Sequence, residues 1–336
     1  MMGVGGSLDE RDPAVAQLHE AAAGLSRGWF TRRMHPMNTP MTPPMTTANA
    51  WGRWGAEDER GAVNHIGPEQ VRRATALVRS GEVLRLAQPL SPKTPVPGHR
   101  CGMQHFMGRD GGDYAAGAGR PGGFQFAEDT VVMPLHFGTH VDALCHAWSD
   151  DRLYNGYLGQ TIRSTTGAQK LGIDKMPPIV TRGVLLDLVA LHGGALEQGT
   201  PIGADDLRRA AAAAGVTPER GDAVLLRTGW LEFHAQGPKH DFNVEAGIDV
   251  SAAEWLLECE VAMVGADNFA VEVLPFAQGQ VFPVHQKLIR DFGVPLLEGV
   301  DLAPLIGRGR PEFLFICSVL PFVGGTGSPV APVAVL

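Results

Sequence analysis

Residues 136–146 read His136-Phe-Gly-Thr-His140-Val-Asp142-Ala-Leu-Cys-His146, and this stretch decides the fold and the chemistry of the 336-residue chain. Alternate side chains of a β-strand point to the same face, so an extended backbone would bring the three histidines and the aspartate together. Neutral imidazoles combined with a carboxylate suit a borderline divalent ion such as zinc or manganese. The stretch therefore predicts a metal-binding strand.

A helix is the main alternative for the same stretch. His136 and His140 are spaced i, i+4, as in the helical zinc signature of metalloproteases. Gly138 and Thr139 are poor helix formers, however, and Val141 favours a strand. We therefore predict an extended strand, with Gly138 at a point where the backbone closely approaches the metal or a ligand.

The motif resembles the signature of the cyclase family of metal-dependent hydrolases, which includes bacterial kynurenine formamidases and isatin hydrolase. One departure is Leu144, which stands where the formamidases usually carry proline. Over residues 50–336 the chain is similar to the longer branch of the family, in these further stretches: Trp54-Gly55, Asp58-Glu59-Arg-Gly61-Ala62-Val-Asn64, Gly183-Val-Leu-Leu-Asp187, Gly221-Asp222-Ala-Val-Leu-Leu-Arg-Thr-Gly229-Trp230 and Gly324-Gly325-Thr326-Gly327-Ser328-Pro329-Val330. The resemblance implies an α/β fold, the swivelling β/β/α domain of the cyclase family.

A second group of candidate ligands lies near the C-terminus. By themselves, His285 and Glu298 would be interpreted as a surface pair, because they are far apart in the sequence. The resemblance implies that they match family positions that complete the metal centre. They would either bind a second divalent ion, with Asp142 bridging, or orient a water molecule.

These residues predict metal-assisted hydrolysis of an amide, a cyclic amide or a lactone. His136, His140 and Asp142 would hold Zn²⁺ or Mn²⁺, which brings the pKa of a water close to neutrality. His146 is the predicted general base, and Glu298 is the alternative. A straight strand would place His146 about 13 Å beyond Asp142, so the chain must bend after the aspartate.

Two other function classes compete with hydrolysis. A non-haem iron oxygenase also uses two histidines and one carboxylate. A catalytically silent metal-binding protein would need the ligands but no base. The additional His146, together with His285 and Glu298, favours the hydrolase.

Composition limits the partners of the chain. It has 28 Lys+Arg against 36 Asp+Glu, a net charge of −8, which argues against nucleic-acid binding. The four cysteines are widely spaced and form no CxxC pair, and we find neither a secretory signal nor an apolar run long enough for a membrane span. We therefore predict a cytoplasmic protein that acts on a small molecule and does not bind membranes.

The chain is predicted to have two parts. Residues 1–50, rich in methionine and proline, would form an arm or tail, and an arm that packs on a neighbouring subunit would make the protein a homo-oligomer. Residues 51–336 would form the hydrolase domain, in which helices alternate with buried strands. The predicted elements are helices over 68–80, 205–214, 251 onwards and 284–292, and strands over 183–189, 223–227, 261–264 and 313–319.

Two further regions could contribute to the site. Residues 91–128 are rich in glycine and proline and are predicted to be a loop that covers it, with His105, Phe106 and Tyr114 as substrate contacts. Asp267 and Glu272 follow a buried strand, where open α/β sheets place ligands, although a capped turn explains them equally well. Trp148, Trp230, Phe106 and Phe269 are candidates for an aromatic pocket, and Cys145 is predicted to lie in the core.

Overall fold

The computed structural model describes residues 49–236 and 241–336. The predicted arm of residues 1–50 lies outside the described residues except for its last two positions, and it stays a prediction. Among the described residues, no helix is both long and apolar enough to cross a membrane. All four cysteines are free thiols.

The described strands are short, apart from a nine-residue strand in the middle of the chain. In chain order they are β1 Val83–Arg85, β2 Gln104–Arg109, β3 Glu128–Val132, β4 His140–Asp142, β5 Ile162–Arg163, β6 Gly167–Ala168, β7 Ile179–Asp187, β8 Pro201–Ile202, β9 Ala223–Arg227, β10 Gly247–Ile248, β11 Met263–Ala266, β12 Leu296–Glu298, β13 Glu312–Cys317, β14 Gly327–Pro329 and β15 Val333–Val335.

The helices are fewer and also short. They are α1 Pro68–Thr75, α2 Gly111–Ala115, α3 Leu188–His192, α4 Ala204–Ala214, α5 Trp230–Gln236, α6 Val250–Glu258 and α7 Pro283–His285, the last continuing into a π-helical turn over Gln286–Asp291.

A nine-stranded mixed sheet organises the described part of the chain. Its strand order is β1-β15-β13-β7-β9-β11-β12-β4-β14. The four central strands β7, β9, β11 and β12 run parallel, and β4 pairs antiparallel with β12 and with β14. The strand that carries the histidine motif therefore lies near one edge of the sheet. This mixed α/β architecture confirms the predicted fold class.

The central strands form where the sequence is continuously apolar. Val224, Leu225 and Leu226 of β9 are completely buried, as expected for a parallel strand that is covered on both faces. The predicted strand over 223–227 is confirmed, and the others shift by a few residues. The helix that was predicted to begin with a Ser251 capping box instead begins after Asp249, whose carboxylate accepts from the backbone N–H of Ala252.

The prediction that residues 91–128 form a loop is wrong for the part of the segment from Gln104 onwards. The segment contains β2 and α2 and leads into β3, which pairs antiparallel with β2 as a two-stranded ribbon. Most side chains of this ribbon are exposed, including Phe106 and Met107. Glycine and proline favour turns and loops, but local cross-strand pairing outweighs that preference here.

Candidate metal centre

The histidine motif is not the single strand that its spacing predicted. Only His140, Val141 and Asp142 are in β4, whereas His136 lies in a bend before it and His146 lies in a turn after it. The turn is closed by the backbone N–H of His146, which donates to the carbonyl of Ala143. The predicted bend after Asp142 is therefore present. The side chains converge because the chain curls around the aspartate, and strand alternation alone does not explain it.

Residues between the ligands fix this curl. Gly138 has a φ of +59°, a left-handed conformation that favours glycine, and a Cβ there would meet Leu90 at 2.4 Å. The hydroxyl of Thr139 donates to the carbonyl of Gly299 and accepts from the backbone N–H of Gln88. Gly138 and Thr139 thus fix the backbone of the motif, and the histidines supply the potential ligand atoms.

Sheet register brings the distant Glu298 to the motif. In the antiparallel pair of β12 and β4, Glu298 is the direct partner of His140, and the His140 Nε2 atom lies 3.0 Å from Glu298 Oε2. On the other side of β4, Gly327 is the partner of Asp142. A Cβ on Gly327 would lie 2.8 Å from His136 Nε2, so the imidazole occupies space that only glycine leaves open.

Asp142 is completely buried at the centre of the cluster, and its two oxygens face different histidines. Oδ1 lies 3.2 Å from His136 Nε2 and 3.7 Å from His140 Nε2. Oδ2 lies 3.7 Å from His285 Nε2 and 3.9 Å from His146 Nε2. One carboxylate therefore connects two neighbouring sets of potential ligand atoms.

Two of the histidines are held in the orientation that metal ligands require. Nδ1 of His140 donates to the carbonyl of Gly138 at 2.9 Å, and Nδ1 of His285 donates to Glu272 Oε1 at 2.5 Å. Partners at Nδ1 fix the ring and leave Nε2 for an ion. Nε2 of His285 lies 3.4 Å from Glu298 Oε1. Glu272 also accepts from the backbone of α7, so it orients His285 from behind.

The cluster meets a direct test of whether its residues fit a metal. Nε2 of His136, Nε2 of His140 and both oxygens of Asp142 are buried and form no hydrogen bond. Buried polar atoms without partners are costly, and few occur in native proteins. Triplets with ligand atoms close enough for one ion are His136–Asp142–His146 and His140–Asp142–Glu298. The orphaned atoms and the nitrogen and oxygen donors fit a divalent cation.

The electrostatics of the cluster also favour a cation. Burial opposes charge on Asp142, but the imidazoles of His146 and His136 hold the pKa of its carboxyl well below the usual range. Burial would lower the pKa of His285, yet hydrogen bonds with Glu272 and Glu298 raise it to about 10. Positive charge is thus stabilised beside these carboxylates. Burial lowers the pKa of His146 to about 4, which leaves its imidazole neutral at pH 7.

Two cavities open onto the cluster. The larger, about 430 Å³, reaches His146, His285 and Glu298, and its wall includes Trp148 and Phe269. The smaller, about 50 Å³, reaches His136 and His140 and includes Trp230. Three of the four aromatic residues that the sequence suggested for a pocket, Trp148, Trp230 and Phe269, therefore lie beside the site.

The structure does not bring the predicted substrate contacts His105, Phe106 and Tyr114 to either cavity. His105 pairs with Asp129 on the exposed ribbon, and the hydroxyl of Tyr114 bonds to the backbone of Phe126. Other residues of the same glycine- and proline-rich segment do line the cavities: Pro95, Val96, Pro97, His99 and Arg100. Sequence reasoning missed Arg100, and nothing in the sequence distinguishes it from Lys93, Arg109 and Arg120 of the same segment.

Asp267 and Glu272 have different roles. Asp267 caps a turn, because its carboxylate accepts from the backbone of Thr228 and Gly229 and from the Thr228 hydroxyl. Glu272 supports His285 as described above. Cys145 is completely buried, as predicted for a core residue.

Comparisons with known proteins identify the family to which the chain belongs. The Cyclase family model matches residues 84–273. A crystal structure described as a novel cyclase is 37% identical, with a TM-score of 0.81 over 86% of this chain and 98% of that one. Isatin hydrolase A from Labrenzia aggregata, bound to benzyl benzoate, is 20% identical, with a TM-score of 0.57 over 78% of this chain and 94% of that one. An isatin hydrolase bound to the product analogue thioisatinate is also 20% identical, with a TM-score of 0.57 over 81% of this chain and 99% of that one. A search of curated proteins gave no match. The family model and the 37% identical structure show that this chain belongs to the cyclase family.

Proposed function

We propose that the protein is a metal-dependent hydrolase that opens an amide, a cyclic amide or a lactone of a small-molecule substrate. The observation that carries the proposal is the buried carboxylate of Asp142, whose two oxygens face two sets of ligand atoms on histidines that line the two cavities. The fold that this chain shares with isatin hydrolases supports it.

The proposed centre takes two divalent ions, Zn²⁺ or Mn²⁺. His136 and His140 would hold one ion together with Asp142 Oδ1. His285 and Glu298 would hold the other together with Asp142 Oδ2. Imidazole nitrogens combined with carboxylate oxygens are donors that suit such divalent ions.

When bound, such an ion supplies Lewis-acid activation of water and of a substrate carbonyl. His146 forms one of the two ligand triplets with His136 and Asp142, but we propose it as the general base, and the metal content of a His146 variant distinguishes a base from a ligand. The imidazole of His146 is neutral at pH 7, lines the larger cavity, and has its Nε2 on the Oδ2 side of Asp142. It would accept the proton of the attacking water and return it to the leaving nitrogen or oxygen. Glu298, which also lines both cavities, is the alternative base.

The proposal is tested by metal content and turnover together. We expect about two equivalents of metal by elemental analysis, loss of activity with a chelator, and recovery with Zn²⁺ or Mn²⁺. Substrates would be a panel of formanilides, cyclic imides and lactones. Asp142→Asn should lose metal and activity, whereas Asp301→Asn, whose carboxylate only caps the turn at Ala303, should keep both.

Full activity of a metal-free preparation would refute the hydrolase mechanism. Oxygen consumption with ferrous iron, without hydrolysis, would instead establish the oxygenase alternative. Metal binding without any turnover across the panel would favour the catalytically silent protein.

A further inference from the structure

Arg100 is held against the candidate metal centre, and it has no acidic partner among residues 49–236 and 241–336. Its Nη1 atom donates to the carbonyl of His136 at 2.8 Å, and its guanidinium carbon lies 5.2 Å from the ring centroid of Phe269. Within the described residues, the guanidinium forms no ion pair and no other hydrogen bond. Because a guanidinium carries five N–H donors in a planar fork, most of its donors are available.

The position of Arg100 is where the two cavities meet. Arg100, Phe269 and Glu298 line both of them. The larger cavity has the volume of a small-molecule site, and Phe282 and Trp148 give it an apolar wall. A molecule that filled this cavity would therefore touch the aromatic rings, the guanidinium and the metal ligands at once.

The charges around the cavities make Arg100 an anion site. Among the described residues that line these two cavities, Arg100 is the single Lys or Arg. Glu298, already engaged with His140 and His285, is the single Asp or Glu of that lining. The chain as a whole carries a net charge of −8, yet none of its described carboxylates pairs with this arginine. Guanidinium forks bind carboxylates through two parallel hydrogen bonds, a geometry that lysine cannot reproduce.

We propose that Arg100 recognises a carboxylate on the substrate while Phe269 and Phe282 hold a flat apolar body. The inference rests on the proposed hydrolase function and narrows it to amide-type substrates that carry an anion. Anchoring by the carbonyl of His136 ties the guanidinium to the backbone of a candidate metal ligand. The carboxylate would therefore set the distance between the scissile bond and the metal centre.

Binding to metal-free protein separates this recognition from metal coordination. Titration calorimetry would compare benzoate with benzamide, which has the same shape but no charge. Charge-assisted hydrogen bonds predict that the wild-type protein binds benzoate about 10- to 100-fold more tightly. Arg100→Met should abolish this preference, and Arg100→Lys should retain only part of it.

Arg120→Met is the matched control. Arg120 also lies over an aromatic ring, that of Phe126, but at a place away from both cavities, so the benzoate preference should be unchanged. Circular dichroism would verify that each variant is folded. Equal affinity of the wild-type protein for both ligands, a preference that survives Arg100→Met, or no benzoate binding up to about 10 mM would each overturn the proposal.

Turnover supplies an independent measurement on the metal-loaded enzyme. The ratio of kcat/KM for a carboxylate-substituted formanilide to that for formanilide should fall by about 10- to 100-fold in Arg100→Met. If neither compound is hydrolysed but the benzoate preference depends on Arg100, the hydrolase proposal fails and the anion site stands. If both are hydrolysed with the same ratio in wild type and variant, the hydrolase stands and carboxylate recognition fails.

Discussion

Gly327→Ala tests whether the close approach of β14 to the motif is required for metal binding. The new Cβ would lie 2.8 Å from His136 Nε2 and 2.9 Å from the carbonyl oxygen of Val141, whereas ordinary contacts begin at 3.4 Å. The imidazole must therefore retreat by about 0.6 Å, which exceeds the tolerance of about 0.5 Å for a functional constellation.

We expect this displacement to weaken metal affinity about 10- to 100-fold and to lower kcat/KM by about 10²-fold. Overpacking against the strand should also cost about 1–3 kcal/mol of unfolding free energy. The assays are metal titration with a chelator competitor, steady-state kinetics and urea unfolding, carried out on the same preparation.

Gly325→Ala is the matched control for crowding alone. A Cβ there would contact Leu135 and Phe322 at 3.0 Å, but it would not face a metal ligand. This variant should lose stability and keep its metal affinity. If Gly327→Ala retains wild-type metal affinity and kcat/KM, the glycine does not shape the site and the reasoning from this contact is refuted.

Three further predictions address other parts of the protein. His146→Ala should keep its metal content while kcat falls by about 10²- to 10⁴-fold, and loss of an ion would make His146 a ligand. Burial lowers the pKa of His65 to about 4, so the folded protein binds fewer protons than the unfolded chain between about pH 6.5 and 4. The contribution of His65 to the free energy of unfolding is therefore intact above about pH 6.5. As the pH falls to about 4, this free energy decreases by up to about 3 kcal/mol. In His65→Gln, an amide oxygen can still accept from Arg220. Urea unfolding of this variant should show an unfolding free energy that depends less steeply on pH below about 6.5, and an unchanged dependence would contradict the prediction. The predicted homo-oligomer should sediment above the 35.8 kDa of one chain, and deletion of residues 1–48 should reduce its size if the arm holds it together.

Local chemistry explains what was predicted correctly. The uninterrupted apolar run of β9 specifies a buried strand wherever it occurs in the fold, because burial of both faces needs no partner of particular sequence. The imidazoles and the carboxylate of residues 136–146 supply donor atoms that could hold a cation, and donor chemistry is a local property. The motif also required a bend after Asp142, since strand rise would otherwise carry His146 out of reach.

The position of His136 and the ribbon of β2 and β3 depend on backbone conformation and on pairing between segments, which the sequence pattern does not show. His136 reaches Asp142 because Gly138 adopts a left-handed conformation, which residue spacing within the motif does not reveal. The ribbon of β2 and β3 forms in a segment whose composition predicts a loop, because pairing between strands compensates for weak local preference. Residues that were predicted to contact substrate because they lie in this segment, such as His105 and Tyr114, consequently fall away from the cavities.

The sequence by itself determined the donor set, the α/β class and the central strands, since side-chain chemistry and hydrophobic periodicity are local properties. Tertiary structure decided which carboxylate lies opposite His140, which glycine leaves space for His136, and which arginine lines the cavities. Glu298, Gly327 and Arg100 are far from one another along the chain. Glu298 and Gly327 come to the histidine motif because β12 and β14 pair with the two sides of β4 in a fixed antiparallel register. Such long-range pairing is not contained in any single stretch of sequence.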